Sequence, residues 1–125
     1  MKRSRIRIAL FASLLCVASV ACSLLTTPRG PLKFEPEKLP EAQAGAPYDV
    51  KISITGNVTP AGAFSISEGS LPKGLALDNV EGEHTAHIHG VPEEAGSFTF
   101  KVYAWCYGTN VNGQQGEQEY VLTVR

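Results

Sequence analysis

The stretch Ser97-Phe98-Thr99-Phe100-Lys101-Val102-Tyr103-Ala104-Trp105 alternates from one residue to the next. Phe98, Phe100, Val102 and Ala104 fall on one side, and Thr99, Lys101 and Tyr103 on the other. A period of two places successive side chains on opposite faces, as in a half-buried strand and not a helix. The same period recurs on both sides of it. Tyr48, Val50, Ile52 and Ile54 alternate with Asp49, Lys51 and Ser53 before Gly56-Asn57 breaks the run. Phe64 and Ile66 alternate with Ser65 and Ser67, and Leu75 and Leu77 follow the turn Leu71-Pro72-Lys73-Gly74. Ile88 centres a short strand closed by Gly90-Val91-Pro92, and Tyr120, Leu122 and Val124 form the last apolar set.

No helical apolar stripe occurs in this part of the chain. Its Gly and Pro residues interrupt it too often for a helix of three turns. Short strands separated by turn residues predict an all-β fold, an immunoglobulin-like sandwich of about seven strands. Two sheets about 10 Å apart would each bury one face. The sandwich is expected over residues 34–125, close to the roughly 100 residues of an immunoglobulin domain.

The chain of 125 residues carries 11 basic and 12 acidic side chains. Four of the bases, Lys2, Arg3, Arg5 and Arg7, lie in the first seven positions, which leaves seven against 12 acids for the rest. An acidic domain argues against nucleic-acid binding, which needs a basic surface. Three Cys residues are too few for a disulfide scaffold or a four-Cys zinc module.

The basic start leads into Ile8–Ala21, 14 apolar and small residues without a charge. That is shorter than the roughly 20 residues of a membrane-spanning helix, and it has the layout of a signal peptide, here 1–21. Ser19-Val20-Ala21-Cys22 resembles the lipobox of bacterial lipoproteins, in which a small residue precedes the Cys that is acylated and becomes the new N-terminus. Ser19 departs from the usual Leu, and Ser19 with Ala21 also suits an ordinary signal peptidase. The resemblance implies lipidation at Cys22 (palmitate among the acyl chains) and a membrane partner through that lipid. Several acyl chains hold a protein stably where one would not. Ser23 stands where an Asp commonly retains lipoproteins at the inner membrane. This implies a cell-envelope location, at the outer membrane where the cell has two. Residues 22–33, with Thr26, Thr27, Pro28, Gly30 and Pro31, read as a lipidated end and linker.

Several motifs occur in a fixed order: Leu39-Pro40, Gly45-Ala46-Pro47-Tyr48, Gly69-Ser70-Leu71-Pro72-Lys73-Gly74-Leu75-Ala76-Leu77-Asp78, Ile88-His89-Gly90-Val91-Pro92 and Ala95-Gly96-Ser97-Phe98-Thr99-Phe100-Lys101-Val102. Together they resemble the bacterial immunoglobulin-like domains related to cadherin-like repeats. The L-P-x-G-L-x-L-D segment is the most specific part. The resemblance covers residues 39–125 and implies display, adhesion or an accessory role; it supplies no catalytic residue. Cadherin-like relatives often bind calcium through acidic residues near strand ends. Here Cys106-Tyr107-Gly108 stands where many members have an Asp, which argues against calcium, an ion needing six to eight oxygens.

Three constellations merit weighing. His87 and His89 share a strand face opposite Ile88, and with Glu81 or Glu83 they offer the beginning of a zinc or copper site. Sequence places no further ligand, so no metal and no other cofactor is assigned. Tyr103, Trp105 and Tyr107 point away from the core side of their strand and offer a surface to a glycan or protein partner. The competing expectation is that the Gly108–Gly116 loop covers them, or that a bulge turns Trp105 inward. Cys106 falls in phase with the core and reads as a buried thiol, with a Cys22–Cys106 disulfide possible only where Cys22 is not acylated. Asn57-Val58-Thr59 fits the glycosylation pattern but carries little weight behind a bacterial-type signal. No nucleophile–base pair, phosphate loop or helical His-Glu motif is present, so no enzyme is expected. The expected role is non-catalytic binding or structural support by a membrane-anchored module. The alternative is a soluble periplasmic or secreted module of the same fold, with a metal at His87 and His89.

Overall fold

The computed structural model describes residues 29–109 and 112–125. The signal segment 1–21, Cys22 and the tether up to residue 28 lie outside the described residues. Seven strands follow one another: β1 (Lys33–Glu35), β2 (Tyr48–Thr55), β3 (Ala61–Gly69), β4 (Leu75–Asn79), β5 (Thr85–Gly90), β6 (Gly96–Cys106) and β7 (Gln115–Val124). They form two antiparallel sheets, β1-β2-β5-β4 and β3-β6-β7, the sandwich that the period-two segments predict.

The core lies between the sheets. Ile52 and Ile88 on one side face Phe100, Val102, Tyr120 and Leu122 on the other, all nearly or fully inaccessible to solvent. Phe98, Leu75 and Leu77, expected inside, are only partly buried. Leu75 and Leu77 sit on β4, an edge strand with a neighbour on one side only, and Phe98 lies near the open start of β6.

The start of the domain needs a correction. Residues up to 33 read as linker, yet Leu32 is in the core and Lys33 begins β1. Gly30 and its neighbour Arg29 are held by long-range bonds instead. The Gly30 carbonyl accepts a hydrogen bond from Gln114 Nε2 at 2.6 Å, and Arg29 reaches Thr109 Oγ1 and the Asn112 carbonyl. After β1 the chain crosses to the other sheet, where Ala42 pairs in parallel with Val124. The bonds Ala42 N–H to Thr123 O, Arg125 N–H to Ala42 O and Ala44 N–H to Arg125 O, all 2.8–2.9 Å, extend the β7 edge.

The Leu71-Pro72-Lys73-Gly74 turn and Gly90-Val91-Pro92 fold against each other. Leu75 N–H closes the turn onto Pro72 O at 3.1 Å, Val91 N–H reaches Gly74 O at 3.2 Å, and Glu93 N–H reaches Lys73 O at 2.9 Å. Pro72 and Pro92 are fully buried beneath. Gly74 and Gly90 have φ of 95° and 132°, and a Cβ on either would strike the carbonyl oxygen of the opposing turn.

Candidate functional site

The outer face of the β3-β6-β7 sheet carries the three aromatic residues. β6 is central, so its outward side chains have neighbours on both flanks. Trp105 stands between Ala63 and Gln115, Tyr103 between Ser65 and Glu117, and Lys101 between Glu68 and Glu119. A register shift in β3 at Gly62 lets the Trp105 ring settle face-on over that glycine, where any Cβ would meet three atoms of its six-membered ring. The indole stays 38% exposed, the lowest of the five large apolar side chains at the surface of the described residues, with its inner face taken up by Gly62. Tyr107 meets it edge-on, with ring centroids 5.1 Å apart at 81°. The bulge therefore seats Trp105 without turning it inward, and the described residues of the β6–β7 loop leave it partly exposed.

Polar groups hold the two tyrosines. Tyr103 Oη donates to Gln115 Oε1 at 2.7 Å, and Tyr107 Oη donates to the Glu81 carboxylate. The Tyr107 phenol is held above its ordinary pKa, first by that hydrogen bond, then by desolvation and the charge of Glu81. Lys101 Nζ pairs with Glu68 at 3.0 Å, and its pKa is raised by that bond and charge, with Glu117 and Glu119 adding to it. Glu81, which the sequence offers as a partner for the histidines, is thus committed to the aromatic face.

The histidines lie on the outer face of the other sheet. Asp49 on β2 and Asp78 on β4 flank β5, and each takes one ring on the diagonal. His87 Nδ1 meets Asp49 Oδ1 at 3.1 Å, and His89 Nε2 meets Asp78 Oδ2 at 2.5 Å. Glu83 joins all four on the rim of a shallow hollow of about 340 Å³. Among the described residues no three His, Cys, Asp or Glu side chains converge to hold a metal ion. The two rings are drawn to opposite neighbouring strands, which separates the pair that the sequence places on one face. Nothing within β5 signals Asp49 or Asp78, because cross-strand register decides those partners.

Residues 31–125 match the family model described as "Putative Ig domain". The chain belongs to this family. Among curated proteins none matches the chain. Solved structures share the fold of this Ig domain. An endo-fucoidan hydrolase of glycoside hydrolase family 107 is similar at a TM-score of 0.59 and 20% identity, over 78% of this chain and 14% of that one. The SrpA adhesin of Streptococcus sanguinis is similar at 0.59 and 18% identity, over 80% of this chain and 59% of that one. The sialic acid binding region of the Streptococcus sanguinis SK1 adhesin, bound to 3'sLn, is similar at 0.56 and 16% identity, over 79% of this chain and 31% of that one. This Ig domain spans less than two thirds of each of those chains.

The remaining candidates serve the Ig scaffold. Cys106 is buried at the end of β6, where desolvation raises its thiol pKa and suppresses the reactive thiolate. Its backbone N–H bonds Gln114 O at 2.7 Å. The Asn57 amide, in the β2–β3 turn, is engaged with Thr59 O at 2.8 Å and with His84 Nδ1 of the β4–β5 connection at 2.7 Å. Gln114, missed in the sequence, is the buried polar residue of the loop end. Its Oε1 accepts from Val58 N–H at 2.8 Å, and its Nε2 donates to Gly30 O and Gly56 O.

Proposed function

We propose that this chain is an extracytoplasmic recognition module, held at the bacterial envelope by acyl chains on Cys22, and that it binds a partner without transforming it. The observation that carries the reading is the seat of Trp105. A large aromatic ring is seated on a glycine and braced by Tyr107 while 38% of it stays exposed, and rigid aromatic surface of that kind is what binding sites use. The anchor rests on Lys2 to Cys22 and on Ser23, which favours the outer membrane. Fold relatives that include adhesin binding regions are consistent with display. Relatives that include hydrolases contribute no catalytic residue to this chain, because likeness at this level is likeness of fold.

The anchor is tested by the intact mass of the mature protein in membrane and soluble fractions, for wild type and Cys22→Ala. A membrane-bound species that begins at Cys22, is heavier by its acyl chains and disappears in the variant is the expected result. A soluble, unmodified species would overturn the anchor and favour the freely diffusing form that Ser19 and Ala21 would also permit.

A further inference from the structure

The geometry points to a cationic, arginine-bearing polypeptide segment as the occupant of the outer β3-β6-β7 face; this rests on reading that face as the recognition surface. Charge is the deciding feature. Four carboxylates surround the aromatic residues: Glu117 beside Tyr103, Glu119 and Glu68 beside Lys101, and Glu81 on Tyr107. The single ammonium among them, on Lys101, is already paired with Glu68. Among the described residues an anionic ligand would find no free cation on this face, whereas a cationic one meets uncompensated carboxylates.

The aromatic groups narrow the choice further. A guanidinium is flat and weakly hydrated, stacks on an indole face and forks onto a carboxylate. Trp105 supplies a partly exposed indole, and Glu117, one cross-strand row away on β7, supplies a carboxylate free of any ion pair among the described residues. A lysine ammonium would gain the charge attraction without the planar fit. The described domain, with seven basic and 12 acidic residues, would also steer a basic segment toward it at low salt.

Trp105 is the one tryptophan of the chain, so its emission reports on this face directly. The full-length protein, in an uncharged detergent, is titrated with hexaarginine, hexalysine and the neutral sugar maltohexaose. The expected result is a saturable change in Trp105 emission with hexaarginine, and affinity roughly two- to fivefold tighter than for hexalysine. Glu117→Gln, an exposed change that leaves the fold intact by circular dichroism, should weaken hexaarginine binding by a similar factor. Equal affinity for the two peptides, or binding without an emission change, would mean diffuse charge attraction and would overturn the assignment. A response to maltohexaose alone would also overturn it while leaving the face a recognition surface. Silence toward all three ligands would remove both readings.

Discussion

A buried amide stabilises a fold only when its donors and acceptor are all met, because an unpaired polar group keeps its full desolvation cost. Gln114 meets that condition with Val58, Gly30 and Gly56, and its own carbonyl takes the Cys106 N–H. One side chain thus ties the start of the domain, the β2–β3 turn and the β6–β7 loop together. Gln114→Leu is of similar size but leaves the Val58 N–H without an acceptor. It should cost roughly 2–3 kcal/mol in urea unfolding. A loss below about 0.5 kcal/mol, the range of an ordinary surface substitution, would show that water replaces the amide freely. Sequence offers little warning of this role, since a Gln inside an Asn- and Gly-rich loop reads as solvent-exposed. Only the return of Gly30 and Gly56 to the same point gives it partners.

At the scale of elements, the two turns before β4 and after β5 form a clasp made of backbone. Gly74 and Gly90 each adopt a positive φ and each lie against a carbonyl of the other turn, Val91 O and Gly74 O respectively, too close for a side chain. Gly74→Ala should therefore destabilise the domain by roughly 3 kcal/mol, from backbone strain together with the forced separation of the turns. Lys73→Ala, which removes only an exposed 3.3 Å pair with Glu93, should change little in the same thermal melt. Equal losses from the two changes would mean that the ion pair and not the glycine backbone holds the clasp. The period-two segments made all the main strands legible, because burial of one sheet face enforces alternation over five or more residues. β1 was the exception: three residues are too few to show a period, and its pairing with Ser53–Thr55 is set by contacts distant in sequence. The aromatic face was legible for the same reason as the core opposite it. The Asp partners of His87 and His89 were not, since they come from β2 and β4 through register.

For the whole molecule, the segment that crosses from β1 to the β7 edge decides how the two sheets hold together. A tyrosine from each sheet grips it. Tyr48 on β2 donates to Pro40 O at 2.9 Å, and Tyr120 on β7 donates to Pro36 O at 2.8 Å. Desolvation pushes both phenols up to about 12 from the ordinary 10. A phenol whose pKa is higher in the folded state binds its proton more tightly there, so its stabilising effect is complete below pH 10 and is lost as pH rises from 10 toward 12. Ionisation at either site removes the donor that holds the crossing segment and places a charge against the core. Burial of Cys106 acts in the same direction, from its own lower starting value. Stability from urea unfolding should accordingly fall between pH 9 and pH 11.5, with Trp105 emission on one sheet and the far-ultraviolet signal of both sheets changing in a single transition. Tyr48→Phe with Tyr120→Phe should lower stability at pH 8, since two carbonyls lose their donors, and should flatten the alkaline decline. A wild-type curve level through pH 11.5, or a double variant that declines as steeply, would show that these phenols do not couple the crossing segment to the sandwich. Separate midpoints for the two signals would show that the sheets come apart one at a time, with the crossing segment too weak a stitch to make them one cooperative unit.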